Sequence, residues 1–530
     1  MQRDDLRSGV LADWQWPPLW ITVAALAAYA VQAIAWPFSI GRDGGSFVQH
    51  YFDLFERDPV LPMVATYRMP LTSLWYGGML QFPGARVLEV VQGIGFVIAI
   101  ACCYRVALPW GRRIAGVTTA AVILDPLYGA LYHRVDSDGV FAFVLILWAA
   151  FAISTARSKA TSVWIGHAAW IALLIMARPA SQLYGLFALM PLLLRDRPLR
   201  VRVAQSIACA STLALVLLSY SALNEVRYGF FGINRLTYAA QPFMRVLTTD
   251  RLVDPKNGPA SRELAQAIQE QLLPYEPYRS INMPVEKWLR SESIRLYQDT
   301  VTVADRTWGW DSKYRRLLDV SLESIRANPG AFLLGTTQTF LHSLFVKHRV
   351  VTPIRHDVSS LSSASAGSEA AVDVDILPYP LQDMWSSTPD RRYEPSNPNY
   401  AAAVRRFAEQ QARVDALSAQ LPVRSGIQPL SDLLNRIGLL FTPMIVMVAM
   451  AILGIPFMGL TAAPEERLLI AVFSLSLLIL FATFAGQVPA IIQYRLPLDP
   501  ILIVAGVLGA GAIRRGRRQL RSTLPAADAL

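Results

Sequence analysis

About ten stretches of this chain are apolar over close to the length a bilayer demands, and that feature narrows its fold more than any other. A hydrocarbon core of about 30 Å takes roughly 20 helical residues to cross. Runs of this kind cover 18–38, 87–108, 114–131, 139–156, 163–177, 182–194 and 203–223, then 437–460, 468–485 and 497–513 after a long gap. The backbone of a spanning segment must satisfy its own hydrogen bonds, so the expectation is an all-α polytopic membrane protein. Composition agrees: 53% of the 530 residues are hydrophobic and 17% are charged, against roughly 25% charged in an ordinary soluble domain. A purely soluble enzyme is excluded.

The formal net charge is nevertheless +10. Arg112, Arg113, Arg157, Lys159, the cluster Arg195, Arg197, Arg200 and Arg202, Arg467, and the tail from Arg514 to Arg521 all fall on one side of a ten-span arrangement. Lys and Arg collect in cytoplasmic loops, so this side is read as cytoplasmic, with both termini there. The excess then sets topology and meets anionic lipid, and no nucleic acid is expected as a partner. The first apolar run follows a polar start of mixed charge and has no small-residue cleavage site after it, so it reads as a retained span and not as a removable signal peptide. The three cysteines, Cys102, Cys103 and Cys209, lie in apolar runs and offer neither a disulfide framework nor a thiolate metal site.

Four divisions follow: a membrane module over 1–223 with a first outer loop at 40–85, an extracytoplasmic, mostly helical region over 224–436, membrane helices over 437–513, and a basic tail over 514–530. Within the outer region, 331–346 is apolar but interrupted by Thr336, Thr337, Gln338, Thr339 and His342. It reads as an interfacial helix, because a crossing there would export the Arg-rich tail. The stretch 60–80, with Pro62, Pro70, Gly77 and Gly78, reads as interfacial or re-entrant helices. The segment 357–371 is low in complexity and reads as a flexible loop, and 399–420 as an amphipathic soluble helix.

Ionisable residues gather at the outer ends of these spans. Asp43 lies among glycines after the first span, Tyr67-Arg68-Met69-Pro70 follows, His133, Arg134, Asp136 and Asp138 precede the span at 139, and Tyr494-Arg495-Leu496-Pro497 opens the last. A charge at the bilayer centre costs about 2.5–3.5 kcal/mol, so such groups belong at an interface or in a wet cavity. Arginine there suits an anionic ligand such as a phosphate, which it can hold through two parallel bonds.

In this order the elements resemble the GT-C superfamily of polyprenyl-phosphate-dependent glycosyltransferases, including the protein O-mannosyltransferases of glycosyltransferase family 39 and the aminoarabinose transferases. The resemblance is carried by Asp43, Tyr67 to Leu71, Ser137-Asp138, Arg178-Pro179, Asn328 to Phe332 and Tyr494 to Pro500. It implies a GT-C-like bundle with outer juxtamembrane helices in a bacterial inner membrane, moving a sugar from a polyprenyl-phosphate donor to an acceptor hydroxyl on the outer, periplasmic face. The acceptor class stays open among lipid, polysaccharide and protein. Asp43 is then the general base, with Asp138 and Asp136 orienting the acceptor or an arginine. Arg495, Arg68, Arg178 and Tyr494 are the donor-phosphate candidates, since cations stabilise the charge gained by the leaving phosphate. One base without a second carboxylate nucleophile implies inversion.

Tyr67, His133, Arg134, Trp308 and Trp310 are candidate contacts to acceptor or sugar. For the two tryptophans a core or interface role is the stronger reading. Asp136-Ser137-Asp138 spells the DxD of nucleotide-sugar enzymes, but in an outer membrane loop that meaning is discounted. No cofactor is required; Asp43, His50, Asp53 and His133 leave a divalent metal as an alternative. Outside the transferase reading stand a flippase of lipid-linked saccharide and a non-catalytic scaffold; within it, a polysaccharide ligase or polymerase.

Overall fold

The computed structural model describes residues 16–36, 38–40, 44–55, 68–82, 86–234, 240–275, 278–292, 296–308, 313–347, 372–373, 385–387, 392–395, 413, 416, 426–458, 463–486 and 494–523. Among them the membrane part is a helical bundle with one continuous apolar core. Its first half contains α1 (Leu19–Ala35), α2 (Gly44–Phe55), α3 (Pro70–Leu80), α4 (Arg86–Ala107), α5 (Arg112–Ile123), α6 (Pro126–Ala130), α7 (Ser137–Thr155) and α8 (Thr161–Ala177). A 3₁₀-wound segment, Pro179–Leu193, then leads to α9 (Leu199–Tyr228).

Among the described residues six helices are long and apolar enough to cross a membrane, and a seventh span results if the bent pair Arg112–Ile123 and Pro126–His133 counts as one. The expected count of ten is corrected accordingly. The ten apolar runs all fall on helical segments, but α1 and α8 have 17 residues each, which at 1.5 Å per residue reach only about 26 Å. The bent pair turns by 58° where Pro126 lacks the N–H that would continue the ladder, and Asp125 accepts from Leu127 N at 3.0 Å to restart it. Pro179–Leu193 has 15 residues, yet 3₁₀ winding rises about 2.0 Å per residue and stretches them to roughly 30 Å.

A second helical region, over the described residues of 240–327 and expected to lie outside the membrane, folds around its own apolar core, separate from the bundle's. It comprises α10 (Ala240–Met244), running into a π turn at Arg245–Thr249, α11 (Pro259–Gln271), α12 (Val285–Leu289), α13 (Leu296–Trp308) and α14 (Lys313–Ala327). Glu323 of α14 caps α11, accepting from Ala260 N at 3.0 Å and Ser261 N at 2.8 Å. These satisfy orphan N–H groups of the helix start.

Next, α15 (Pro329–Phe345), close to the expected 331–346, bridges the two cores. Its Phe332 packs on the outer core and its Leu344 belongs to the bundle core. The fold is helical as expected, with two small sheets as its only strands among the described residues. β1 (Ser39–Ile40) pairs in parallel with β2 (Arg134–Val135), and β3 (Val372–Asp373), β5 (Arg392–Pro395) and β4 (Trp385–Ser387) form an antiparallel trio. The proposed flexible loop 357–371 lies outside the described residues, as does all but Arg413 and Ala416 of the proposed helix 399–420.

The chain re-enters the bundle through α16 (Gln428–Phe441), α17 (Ile445–Met458), α18 (Pro464–Ala485) and α19 (Asp499–Thr523). Of these, α17 and α19 are drawn together at Gly454 and Gly509, where a Cβ on Gly454 would collide with the Gly509 backbone. Small residues permit this close approach of two membrane helices.

Basic residues mark one end of the bundle. Arg157 pairs with Glu465 at 2.6 Å, Arg197 donates to Ala156 O at 2.7 Å, and Trp110 Nε1 donates to Glu466 at 3.1 Å. The elements described next meet at the other end.

Candidate functional site

Four segment ends meet at that opposite end: the start of α7, the junction of α8 with the 3₁₀ segment, the end of α18 and the start of α19. They border a small, partly open cavity lined by Phe141, Arg178, Ser181, Tyr184, Thr483 and Tyr494, with Ala180, Ile479, Leu480 and Leu498 completing its walls. Its cation is Arg178, where α8 stops because Pro179 follows and disfavours the helical conformation at the residue before it. The backbone there is extended, and Ser181 Oγ donates to Leu174 O at 2.7 Å, covering a carbonyl freed at the helix end.

Arg178 is fixed on two sides. Its Nη1 lies 2.5 Å from Asp138 Oδ1, and both side chains are largely buried. Its guanidinium stands 4.4 Å from the Tyr494 ring centroid and 5.5 Å from that of Phe141. A guanidinium over an aromatic face is held by the ring quadrupole, and the carboxylate keeps the buried charge from standing alone.

Asp138 is placed in turn by Asp136, the N-cap of α7, which accepts from Asp138 N at 3.1 Å. Asp136 also pairs with Arg134. Burial raises the pKa of the Asp136 carboxyl, but Arg134, the Asp138 N–H and Arg178 outweigh it and hold the group below the usual carboxylate range. Tyr76 Oη lies 3.1 and 3.2 Å from the carbonyls of Arg134 and Asp136 and accepts from Gln92 at 2.9 Å. The parallel pairing of Ser39 with Arg134 and Ile40 with Val135 ties the chain just before Asp43 to this segment.

The Tyr-Arg-Met-Pro element adjoins the site through α3. Thr72 Oγ1 donates to Ala177 O at 2.6 Å, one residue from Arg178. Arg68 is buried with its guanidinium 4.6 Å from the Phe47 ring centroid, and it does not line the cavity. His50 is fully buried, its Nδ1 2.8 Å from Ser73 Oγ. Burial, then the charges of Arg68 and Arg227, lower its pKa to about 3.

Several expected contacts lie elsewhere. Arg495, expected beside a donor phosphate, is fully buried behind the cavity wall, with Nη1 donating to Ser343 O at 2.8 Å and Nη2 to Asp499 at 3.0 Å. His133 is buried and stacks on Tyr29 at 4.4 Å. Trp308 belongs to the outer region, where its Nε1 donates to Glu263 at 2.7 Å. Asp43, Tyr67 and Trp310 lie outside the described residues. Among the described residues no group of three or more His, Cys, Asp or Glu is placed to hold a metal ion.

Phe141, Ser181, Tyr184 and Thr483 are cavity residues absent from the sequence expectation. Spacing offered a signal for one of them: Phe141 follows Asp138 by three residues within α7, the interval that puts neighbours on one helical face. Comparison of the chain with protein families, curated proteins and solved structures gave no match.

Proposed function

We propose that this protein is a membrane glycosyltransferase that takes a sugar from a polyprenyl-phosphate donor and transfers it to an acceptor hydroxyl at the outer face. The observation that carries this reading is Arg178: a buried guanidinium, backed by Tyr494 and oriented by Asp138, faces a small cavity that Ser181, Tyr184 and Thr483 also line. A phosphate group matches that cation, which can hold it through charge-assisted hydrogen bonds.

In this mechanism Arg178 stabilises the negative charge that builds on the phosphate as the glycosidic bond breaks. Asp138 keeps the guanidinium in place, and Asp136 keeps Asp138 in place by capping its helix. Asp43 takes the acceptor proton, a role that rests on the family resemblance of the first loop. The same resemblance places the site on the outer face, with the basic end of the bundle in the cytoplasm.

The experiment is a binding titration of purified protein with a polyprenyl-phosphate hexose, with polyprenyl phosphate and neutral polyprenol as competitors. The phosphate lipid should displace the donor and the neutral lipid should not. Arg178→Gln should weaken binding by about tenfold to a hundredfold, the range for losing a hydrogen bond to a charged group. Equal competition by the neutral lipid contradicts the reading. Absence of donor binding, together with passage of a lipid-linked oligosaccharide across vesicles containing the protein, would replace it with a flippase.

A further inference from the structure

We infer that Arg495 is a positioning residue: it sets the place of Tyr494, and through that ring the guanidinium of Arg178, without touching ligand. Arg495 is the neighbour of a cavity residue, yet its side chain has no exposed surface. Its Nε lies 3.0 Å from Asp499 Oδ1, and its Nη2 donates to Asp499 Oδ2 at 3.0 Å. Its Nη1 donates to Ser343 O at 2.8 Å and also to Thr442 O. A guanidinium has five N–H donors in a fixed fork, and this fork is engaged with a carboxylate and two carbonyls.

Each partner is a fixed point. Asp499 is the first residue of α19, four residues on from Arg495, and the compact turn between them is closed by Leu498 N donating to Arg495 O at 2.7 Å. Ser343 lies in the last turn of α15, and Thr442 caps the end of α16. Arg495 therefore joins three helix ends at one point. The residue before it supplies the ring 4.4 Å from Arg178, and Leu498, within the same turn, forms part of the cavity wall. Loss of either member of the Arg495–Asp499 pair frees the turn, and Tyr494 no longer has a defined position over the guanidinium.

This inference makes Arg495 and Asp499 a unit, whereas a residue that grips phosphate directly acts without its neighbour. The test is a double-mutant cycle of Arg495→Gln, Asp499→Asn and the combination, with two readouts. The combined variant leaves two neutral partners of similar shape, so it is the one expected to keep its fold where a single change strands a buried charge. The first readout is independent of any donor: the ¹⁹F resonance of 3-fluorotyrosine placed at position 494. In each of the three variants it should move toward the position it takes in Arg178→Gln protein. An unchanged resonance in the combined variant overturns the inference.

The second readout rests on the proposed function and uses a polyprenyl-phosphate hexose. Binding should weaken about tenfold, the scale of a desolvated cation–π contact, with the combined variant no weaker than the worse single one. Weak binding in Arg495→Gln beside unaltered or tighter binding in Asp499→Asn also overturns the inference, in favour of direct phosphate contact. If no variant and no wild-type protein binds the donor while the ¹⁹F signal moves, the positioning role stands and the transferase reading fails.

Discussion

Arg178 and Tyr494, from opposite halves of the chain, stack with the guanidinium carbon 4.4 Å from the ring centroid. The contact closes the cavity across the bundle and explains why a Tyr-Arg element at the start of the last helix matters to a site whose cation comes from the end of α8. Asp138 holds the same guanidinium from the other side.

Asp138→Asn should therefore affect both stability and binding. Removing one partner of a buried pair costs about 3–5 kcal/mol, because the other charge is left uncompensated. The expected outcome is a lowered unfolding temperature of the detergent-solubilised protein, together with weaker donor binding. Arg178→Gln combined with Asp138→Asn should recover part of the lost stability and none of the binding, as measured by thermal unfolding and lipid titration.

Asp43→Asn should abolish turnover while leaving donor affinity and thermal stability near wild type. General-base contributions are about 10²- to 10⁴-fold, and a transfer assay with labelled donor measures the loss. Turnover within a few-fold of wild type would remove Asp43 from the mechanism.

A buried neutral imidazole gives a pH signature. The His50 pKa is lowered from its usual 6.5 to about 3, so below pH 6.5 the unfolded chain binds a proton that the folded protein refuses. Stability contributed by this site is complete above pH 6.5 and falls as pH drops toward about 3. His50→Gln should flatten that part of the acid slope, as followed by unfolding temperature across the interval. An identical slope in the variant would contradict the assignment.

Gly509→Leu should separate α17 from α19, because a side chain there meets the backbone of Met450 and Ala451. Overpacking costs about 1–3 kcal/mol in an adjustable core, and contact with backbone places this substitution at the upper end. Reduced yield of folded protein and a lower unfolding temperature are expected, with Gly511→Ala, whose Cβ meets only the far end of Arg515, as the tolerated comparison.

Much of the scaffold was legible because its signal is local. Apolar runs dictate helices wherever they occur, and all ten segments are helical. What the runs did not disclose is how each is wound or bent: Pro126 breaks one, and Pro179–Leu193 stretches into 3₁₀ geometry. Arg178 was legible as one of three candidate arginines, with Arg68 and Arg495, but which of the three faces the cavity was not. Tyr-Arg-Leu-Pro-Leu-Asp-Pro reads as a ligand-binding element until Asp499 is recognised as the counter-ion of Arg495 at i,i+4. That spacing was visible in the sequence; the carbonyls of Ser343 and Thr442 that complete the tether come from remote segments and were not. Thr483, Ser181 and Tyr184 were hidden for the same reason, since a polar or aromatic residue in an apolar run has no direction until its neighbours are known.

The most direct measurement is the appearance of free polyprenyl phosphate when protein reconstituted in lipid is given a polyprenyl-phosphate hexose and candidate lipid, polysaccharide and protein acceptors. The account predicts release matched by sugar incorporated into an acceptor, reduced by Arg178→Gln and abolished by Asp43→Asn. Intact donor across all three acceptor classes, despite binding that depends on Arg178, would contradict it.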